Sequence, residues 1–410
     1  MSHQNHTSQH KRSTTTTTNN QTPRYGVTPM PQPSYQSRVL VDYTRSKPKT
    51  RSTKPINDTH IPSVSPSPTI LRKPTIPPRL LMRTRNVQHA VNKSHDDTVQ
   101  KIHHQTMALD ASPLRVKTYL HSEQQNTAGQ FQKRIAVYLA EKNSISYLES
   151  LSRPDGPQKA RFIKRYIKNE IQDPQRVIGS YWYKASSAYD WALFNGVIDV
   201  DIKPKMGDMY VDGSSTIVDF ANRKVGGGVL SHGSVQEEIM FCRIPELLML
   251  KVNGIILSDC DVIIIRGVRL MYNSTGYGAS LQYSNYIRGG KIYEVLVMDA
   301  TNFNAHNAPK ETSKSAINRE ITKAFVAFSN ANGKTITTGN WGCGAFGGNI
   351  KVKFLEQVIA AQAANKNLIY VSVTQSESII ISNLYRHIMK EKLTISDIYH
   401  SIVTEKCLKW

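Results

Sequence analysis

After residue 200 the sequence predicts a layered α/β domain. Two observations predict it. Short apolar, β-branched segments alternate with longer segments that repeat at helical spacing, and glycine-rich loops join one kind to the other. The predicted strands are Thr216 to Phe220, Gly254 to Leu257, Asp261 to Ile265, Tyr293 to Met298, Thr335 to Thr337 and Leu368 to Val373. Their continuous apolar character suits a sheet covered on both faces. Ile317, Ile321, Phe325 and Phe328 form one helical stripe. Ile350, Phe354 and Val358 form a second, and Ile381, Leu384 and Ile388 a third. Ile395, Ile398 and Ile402 mark the last helix.

Residues 111–200 read as a small helical accessory subdomain. Phe131, Ile135, Tyr138 and Leu139 recur at helical spacing, as do Phe162, Ile163, Tyr166 and Ile167, with the breaker Arg153-Pro154-Asp155-Gly156-Pro157 between them. Residues 1–110 hold 16 Lys and Arg against 5 Asp and Glu, 12 of the 19 prolines and no tryptophan. Such a Pro/Ser/Thr-rich basic segment buries too little apolar surface to offset its ordering entropy, so a disordered tail is expected. Its cluster Lys47, Lys49, Arg51 and Lys54 reads as a nuclear address, a nucleic-acid contact or, at least as well, a solvated basic linker.

The whole chain of 410 residues carries a formal charge of +21, which favours polyanionic partners. Cys242, Cys260, Cys343 and Cys407 have neither metal-ligand nor disulfide-framework spacing, so a reducing compartment, nucleus or cytoplasm, is expected. The polar start predicts no signal peptide, and no apolar run is long enough for a membrane span. The expected protein is a monomer without metal or cofactor.

The most informative stretch is VDFANRKVGGGVLSHGSVQEEI, Val218 to Ile239. A strand ends at Phe220, three glycines follow, and a helix is expected near Ser234. Consecutive glycines bring backbone N–H groups close to a phosphate, and a helix N-terminus adds positive potential. Ser234 with Glu237 fits a capping box, which would make Glu237 structural. Glu238 points elsewhere on the helix and is free for another task. A Glu pair at a helix start is also a common dipole-compensating surface feature. A second stretch, TGNWGCGAFGG from Thr338 to Gly348, again leads from a strand through glycines into a helix. Two such loops could clamp a diphosphate. Phe346 reads as a sugar-packing face or a core plug, Cys343 as a small buried residue, and His232 as a loop-packing or exposed side chain.

These segments closely resemble the signatures of poly(ADP-ribose) glycohydrolases, and Thr275-Gly276-Tyr277 resembles a third motif of that family. The likeness covers about residues 200–405. It implies a macrodomain-like mixed sheet flanked by helices over residues 201–410, acting on poly(ADP-ribose) and ADP-ribosylated proteins without a metal. It implies that Glu238 protonates the leaving ribose oxygen and then activates water, that Glu237 holds ribose hydroxyls, and that Asp219 supports the site. Asn222, Gln236 and Asn340 fall on ligand-contact positions. Gly227, Gly228, Gly344 and Ala345 match backbone donors to the diphosphate, and Tyr277 and Phe346 match aromatic walls.

The chain departs from the family pattern in three places. Asn349 stands where an aspartate is usual, Tyr370-Val371-Ser372-Val373 where phenylalanines are common, and the connection from Tyr277 to Tyr293 is short. Cleavage through an oxocarbenium-like transition state needs a neutral carboxylic acid at the departing oxygen, which is the role expected of Glu238. The competing expectation is a macrodomain-like reader that binds ADP-ribose without cutting it. Such a reader has no use for an acid poised at the bond. A nucleic-acid-binding protein is suggested by charge alone, with no recognisable signature in the folded part.

Overall fold

The computed structural model describes residues 118–169 and 171–410. The tail expected over residues 1–110 lies outside them. Eight strands form one mixed sheet among the described residues. In chain order they are β1 (Thr118–Thr127), β2 (Val177–Ala185), β3 (Ile202–Met206), β4 (Thr216–Ala221), β5 (Asp261–Arg269), β8 (Ile292–Asp299), β9 (Thr335–Gly339) and β10 (Asn367–Ser372). A hairpin of β6 (Tyr272–Thr275) and β7 (Gln282–Tyr286) stands apart. The order across the large sheet is β1-β2-β5-β8-β4-β9-β10-β3. Pairing is antiparallel from β1 to β8 and parallel from β8 to β3.

The alternation of side chains along each central strand divides the core in two. Ile217, Ile263 and Val295 face one side, and their neighbours Val218, Ile264 and Leu296 face the other. The first side is covered by α1 (Ala128–Glu141), α2 (Ser144–Ser150), α3 (Asp155–Lys168), α4 (Gln236–Arg243) and α5 (Leu248–Val252), through Phe131, Ile135, Ile163 and Phe241. The second is covered by α6 (Lys314–Ser329), α7 (Ile350–Ala363), α8 (Gln375–Glu391) and α9 (Ile395–Val403), through Ile317, Phe325, Phe354, Ile381 and Ile398. Each fully buried Ile or Phe on these faces stabilises the fold by about 1.5–3 kcal/mol. Helix α1 starts on a capping box: Gln130 N–H donates to Thr127 Oγ1 at 3.2 Å, and Thr127 N–H to Gln130 Oε1 at 2.7 Å.

Two expectations are corrected. The region 111–200 is not purely helical, because β1 and β2 are strands of the main sheet and α1–α3 are inserted between them. Strand β1 has polar, exposed residues such as Ser122, Glu123 and Gln124, so it lacks the apolar signal that reveals a buried strand. Gly254 to Leu257 is not a strand either. It makes one isolated bridge, Ile256 with Lys224, after a turn at Gly254.

The parallel half positions the site. Strand β4 lies between β8 and β9, but it pairs with β9 only at Thr216–Ile336 and Ile217–Thr337. Beyond those pairs the two strands part toward their carboxyl ends. A crevice at the carboxyl ends of parallel strands is where open α/β sheets bind ligands.

Candidate active site

Both glycine loops leave from this crevice, the first after β4 and the second after β9. Where β4 loses its partner strand, the Gln236 side chain takes over. Its Oε1 accepts from Phe220 N–H at 2.8 Å, and its Nε2 donates to Val218 O at 3.0 Å. The amide expected to touch ligand is thus engaged with the strand edge.

The triple glycine wraps around two carboxylates. Gly226 and Gly227 have φ of +84° and +40°, a region that favours glycine. Glu237 accepts from Asn222 N–H at 3.0 Å and from Gly226 N–H at 2.5 Å. Glu238 accepts from Gly228 N–H at 2.8 Å through Oε1 and from Val235 N–H at 3.0 Å through Oε2. The capping arrangement therefore differs from the expectation. Helix α4 starts at Gln236, and Glu238, three residues after Val235, makes the back-bond assigned to Glu237. Ser234 is not the cap; its hydroxyl donates to Asp155. Lys251 Nζ donates to Gly227 O at 2.6 Å and ties the loop to α5.

Asp219 lies beneath the pair on β4, fully buried, and neither carboxylate oxygen has a hydrogen-bond partner among the described residues. Burial, reinforced by the charge of Glu238, pushes its carboxyl well above the usual range. Burial also pushes Glu237 well above it, with Asp219 and Glu238 adding to the effect and the Asn222 and Gly226 amides opposing it. Glu238 is only 5% exposed. Three buried carboxyls thus gather at the end of one strand and the start of one helix. Asn222, half-buried, turns its side chain to Lys224 N–H at 3.0 Å.

In the second loop, Gly344 and Ala345 are exposed on a short 3-10 turn (Gly344–Phe346). Phe346 is partly buried against the core, and its carbonyl accepts from Phe303 N–H at 2.8 Å. Trp341 is buried and donates to Met298 O at 3.0 Å. Asn340 Oδ1 is buried with no partner among the described residues. Asn349 caps α7, accepting from Lys351 N–H at 2.9 Å. Cys343, expected buried, is half-buried, and burial pushes its thiol up to about 12, so no reactive thiolate forms there. The third motif reaches the first loop through Gly278 N–H, which donates to Ser234 O at 3.1 Å, while Tyr277 is 47% exposed. His232 is exposed, with its ring edge-on to Tyr147. Among the described residues no group of three or more His, Cys, Asp or Glu side chains could hold a metal ion, and no helix is long and apolar enough to cross a membrane.

Residues 200–379 match the family model described as poly(ADP-ribose) glycohydrolase, macro domain fold. Over this segment, 180 of the 410 residues, the chain is similar to the poly(ADP-ribose) glycohydrolase family. It is similar to poly(ADP-ribose) glycohydrolase 1 of Caenorhabditis elegans, 37% identical over 183 residues that cover 40% of this chain and 23% of that protein. With poly(ADP-ribose) glycohydrolase 2 of the same organism the identity is 33% over 185 residues, covering 40% and 38%. The probable poly(ADP-ribose) glycohydrolase 2 of Arabidopsis thaliana is 24% identical over 233 residues, covering 45% of each. The chain thus spans less than half the length of these curated relatives. The solved glycohydrolase of Thermomonospora curvata overlaps 61% of this chain and 98% of its own, at 12% identity and a TM-score of 0.36. The matched segment contains both glycine loops described above. Asp155, Lys159 and Lys251, which also contact the first loop, had no motif to reveal them. Their contacts are to backbone carbonyls and one hydroxyl, for which single Lys or Asp residues carry no spacing signal.

Proposed function

We propose that the protein hydrolyses the ribose–ribose O-glycosidic bonds of poly(ADP-ribose) and releases ADP-ribose, with Glu238 as general acid and then general base. The observation that carries this reading is the tethering of the Glu238 carboxylate by the Gly228 and Val235 amides beside a glycine loop built for an anion. Diphosphate held by the exposed backbone of Gly344 and Ala345, across from the Gly227–Gly228 turn, fixes the ribose beside that carboxyl. Glu238 gives its proton to the departing ribose oxygen as the C–O bond breaks, leaving an oxocarbenium-like centre. The nearby diphosphate charge stabilises that centre. Water then adds to the anomeric carbon and returns its proton to Glu238. Glu237 and Asp219 flank that carboxyl, and burial pushes both above the ordinary carboxyl range. Phe346 and Tyr277 serve as aromatic walls, and Asn222 and Asn340 as polar contacts to the ligand.

The test is incubation of the full chain with long poly(ADP-ribose) and sizing of the products over time. Free ADP-ribose accumulating with enzyme concentration is the expected outcome. Polymer that is bound yet stays intact at all times would replace the enzyme by a reader.

A further inference from the structure

Lys159 is fully buried on α3, outside the segment that matches the family model. Its Nζ donates to Ser231 O at 2.5 Å and to Gly233 O at 2.7 Å. One helical turn earlier on the same face, Asp155 is 1% exposed, accepts from the Ser234 hydroxyl, and lies 3.8 Å from the Lys159 ammonium. One face of α3 thus grips the turn from Ser231 to Ser234 at three points. That turn borders the acid. Gly233 packs so closely on Glu238 that an added Cβ would stand 2.5 Å from Oε1, and Val235 N–H, the next residue after the turn, donates to Oε2. The diphosphate end of the loop is held separately: Glu237 takes the Gly226 amide and Lys251 takes the Gly227 carbonyl.

We infer that Lys159 and Asp155 are positioning residues that lock the Ser231–Ser234 turn and so hold Glu238 in the geometry for proton transfer, making the inserted helix α3 part of the catalytic centre. This rests on the reading of Glu238 as the acid. Because the clamp acts on the acid's half of the loop, its loss should act on turnover more than on ligand binding. A displacement of about 1 Å in a reacting group can cost on the order of 10²-fold in rate.

The experiment compares Lys159→Met, Ser234→Ala and Glu238→Gln with the wild-type full chain, measuring kcat and KM on poly(ADP-ribose) and ADP-ribose affinity by calorimetry. For Lys159→Met the expected result is a kcat lower by about 10²-fold with KM and ADP-ribose affinity changed by less than about threefold. Ser234→Ala, which removes one of the three grips, should lower kcat by about tenfold. A folded Lys159→Met with wild-type kcat, or one whose affinity falls as much as its kcat, overturns the clamp. Should Lys159→Met not fold, Ser234→Ala decides alone, and wild-type kcat there overturns it. Wild-type turnover in Glu238→Gln would instead sink the underlying reading, whereas an inactive Glu238→Gln beside an unimpaired Lys159→Met would sink the clamp only.

Discussion

A Cβ on Gly233 would stand 2.5 Å from Oε1 of Glu238, closer than any real side chain can approach. The Glu238 side chain is thus packed against bare backbone. Gly233 has no positive φ, so Gly233→Ala tests the close approach and not the backbone conformation. We expect it to displace the carboxylate and lower kcat on poly(ADP-ribose) by about 10²-fold. Gly254→Ala is the control. Gly254 has φ +64° with open space around its Cα, so alanine there should cost about 1 kcal/mol in urea denaturation and leave kcat unchanged.

Glu237 and Glu238 are neighbours in sequence but hold different amides, so their variants should differ in kind. Glu238→Gln can keep its oxygen toward Gly228 N–H, so the glycine loop stays tied; its NH2 then faces Val235 N–H at the helix start, and the transferable proton is lost. Turnover should fall by about 10²–10⁴-fold while ADP-ribose affinity, read by calorimetry, stays near wild type. Glu237→Gln places an NH2 against either Asn222 N–H or Gly226 N–H, which loosens the glycine loop itself. Its expected signature is weakened ADP-ribose binding together with reduced turnover. Identical profiles for the two variants would contradict the division of labour.

Much of this site was legible in the sequence because its chemistry is carried by local patterns. Three adjacent glycines after a strand and a Gln-Glu-Glu at a helix start are readable without a third dimension, and both lie at the crevice beside β4. The apolar stripes of α6 and α7 likewise follow from spacing alone. What escaped was non-local. Strand β1 is polar and mostly exposed, so alternation gave no hint that it completes the sheet. The reach of Lys159 to Ser231 and Gly233 spans over seventy residues and leaves no trace in either segment. The capping role moved from Glu237 to Glu238 because the cap is Val235, one residue later than the Ser234 hydroxyl suggested. Asp155 draws that hydroxyl away.

Asp219 ties the site to pH. Its carboxyl, buried and without a hydrogen-bond partner among the described residues, has a folded-state pKa raised well above its ordinary value of 3.8. A raised carboxyl contributes stability that is complete below the unfolded pKa and is lost as pH rises through the folded one. At neutral and alkaline pH the native state therefore bears the strain of either a buried charge or a retained proton. Asp219→Asn removes that dependence. The expected result is a Tm gain over wild type that is larger at pH 8 than at pH 5, by thermal denaturation across that range, accompanied by reduced turnover. A gain that grows on acidification would reverse the sign and refute the assignment.

The second glycine loop is underpinned by a buried ionic cluster, and this predicts where the fold is fragile. Lys353 is fully buried on α7 and reaches Glu356 at 2.7 Å, Glu320 on α6, and the face of the Trp341 ring at 4.0 Å from its centroid. Glu320 in turn accepts from Arg319 and from the Thr301 hydroxyl at 2.7 Å. Burial favours the neutral form of Glu320, but Lys353 and Arg319 outweigh it and pull the carboxyl below its ordinary range. Glu356, with less compensation, is raised by burial. One ammonium thus serves two buried carboxyls, and removing it leaves Glu356 without a cationic partner and Glu320 with Arg319 alone. Lys353→Met should therefore cost about 3–5 kcal/mol in urea denaturation, far more than the loss of a surface ion pair, which is worth at most about 1 kcal/mol. Because Lys353 also packs under Gly342 and Gly348, the same variant should weaken ADP-ribose binding even where the protein remains folded. Adding Glu320→Gln to Lys353→Met should recover part of the lost stability, since one buried charge has been removed. A double variant as unstable as the sum of the singles would show that the two side chains are not coupled.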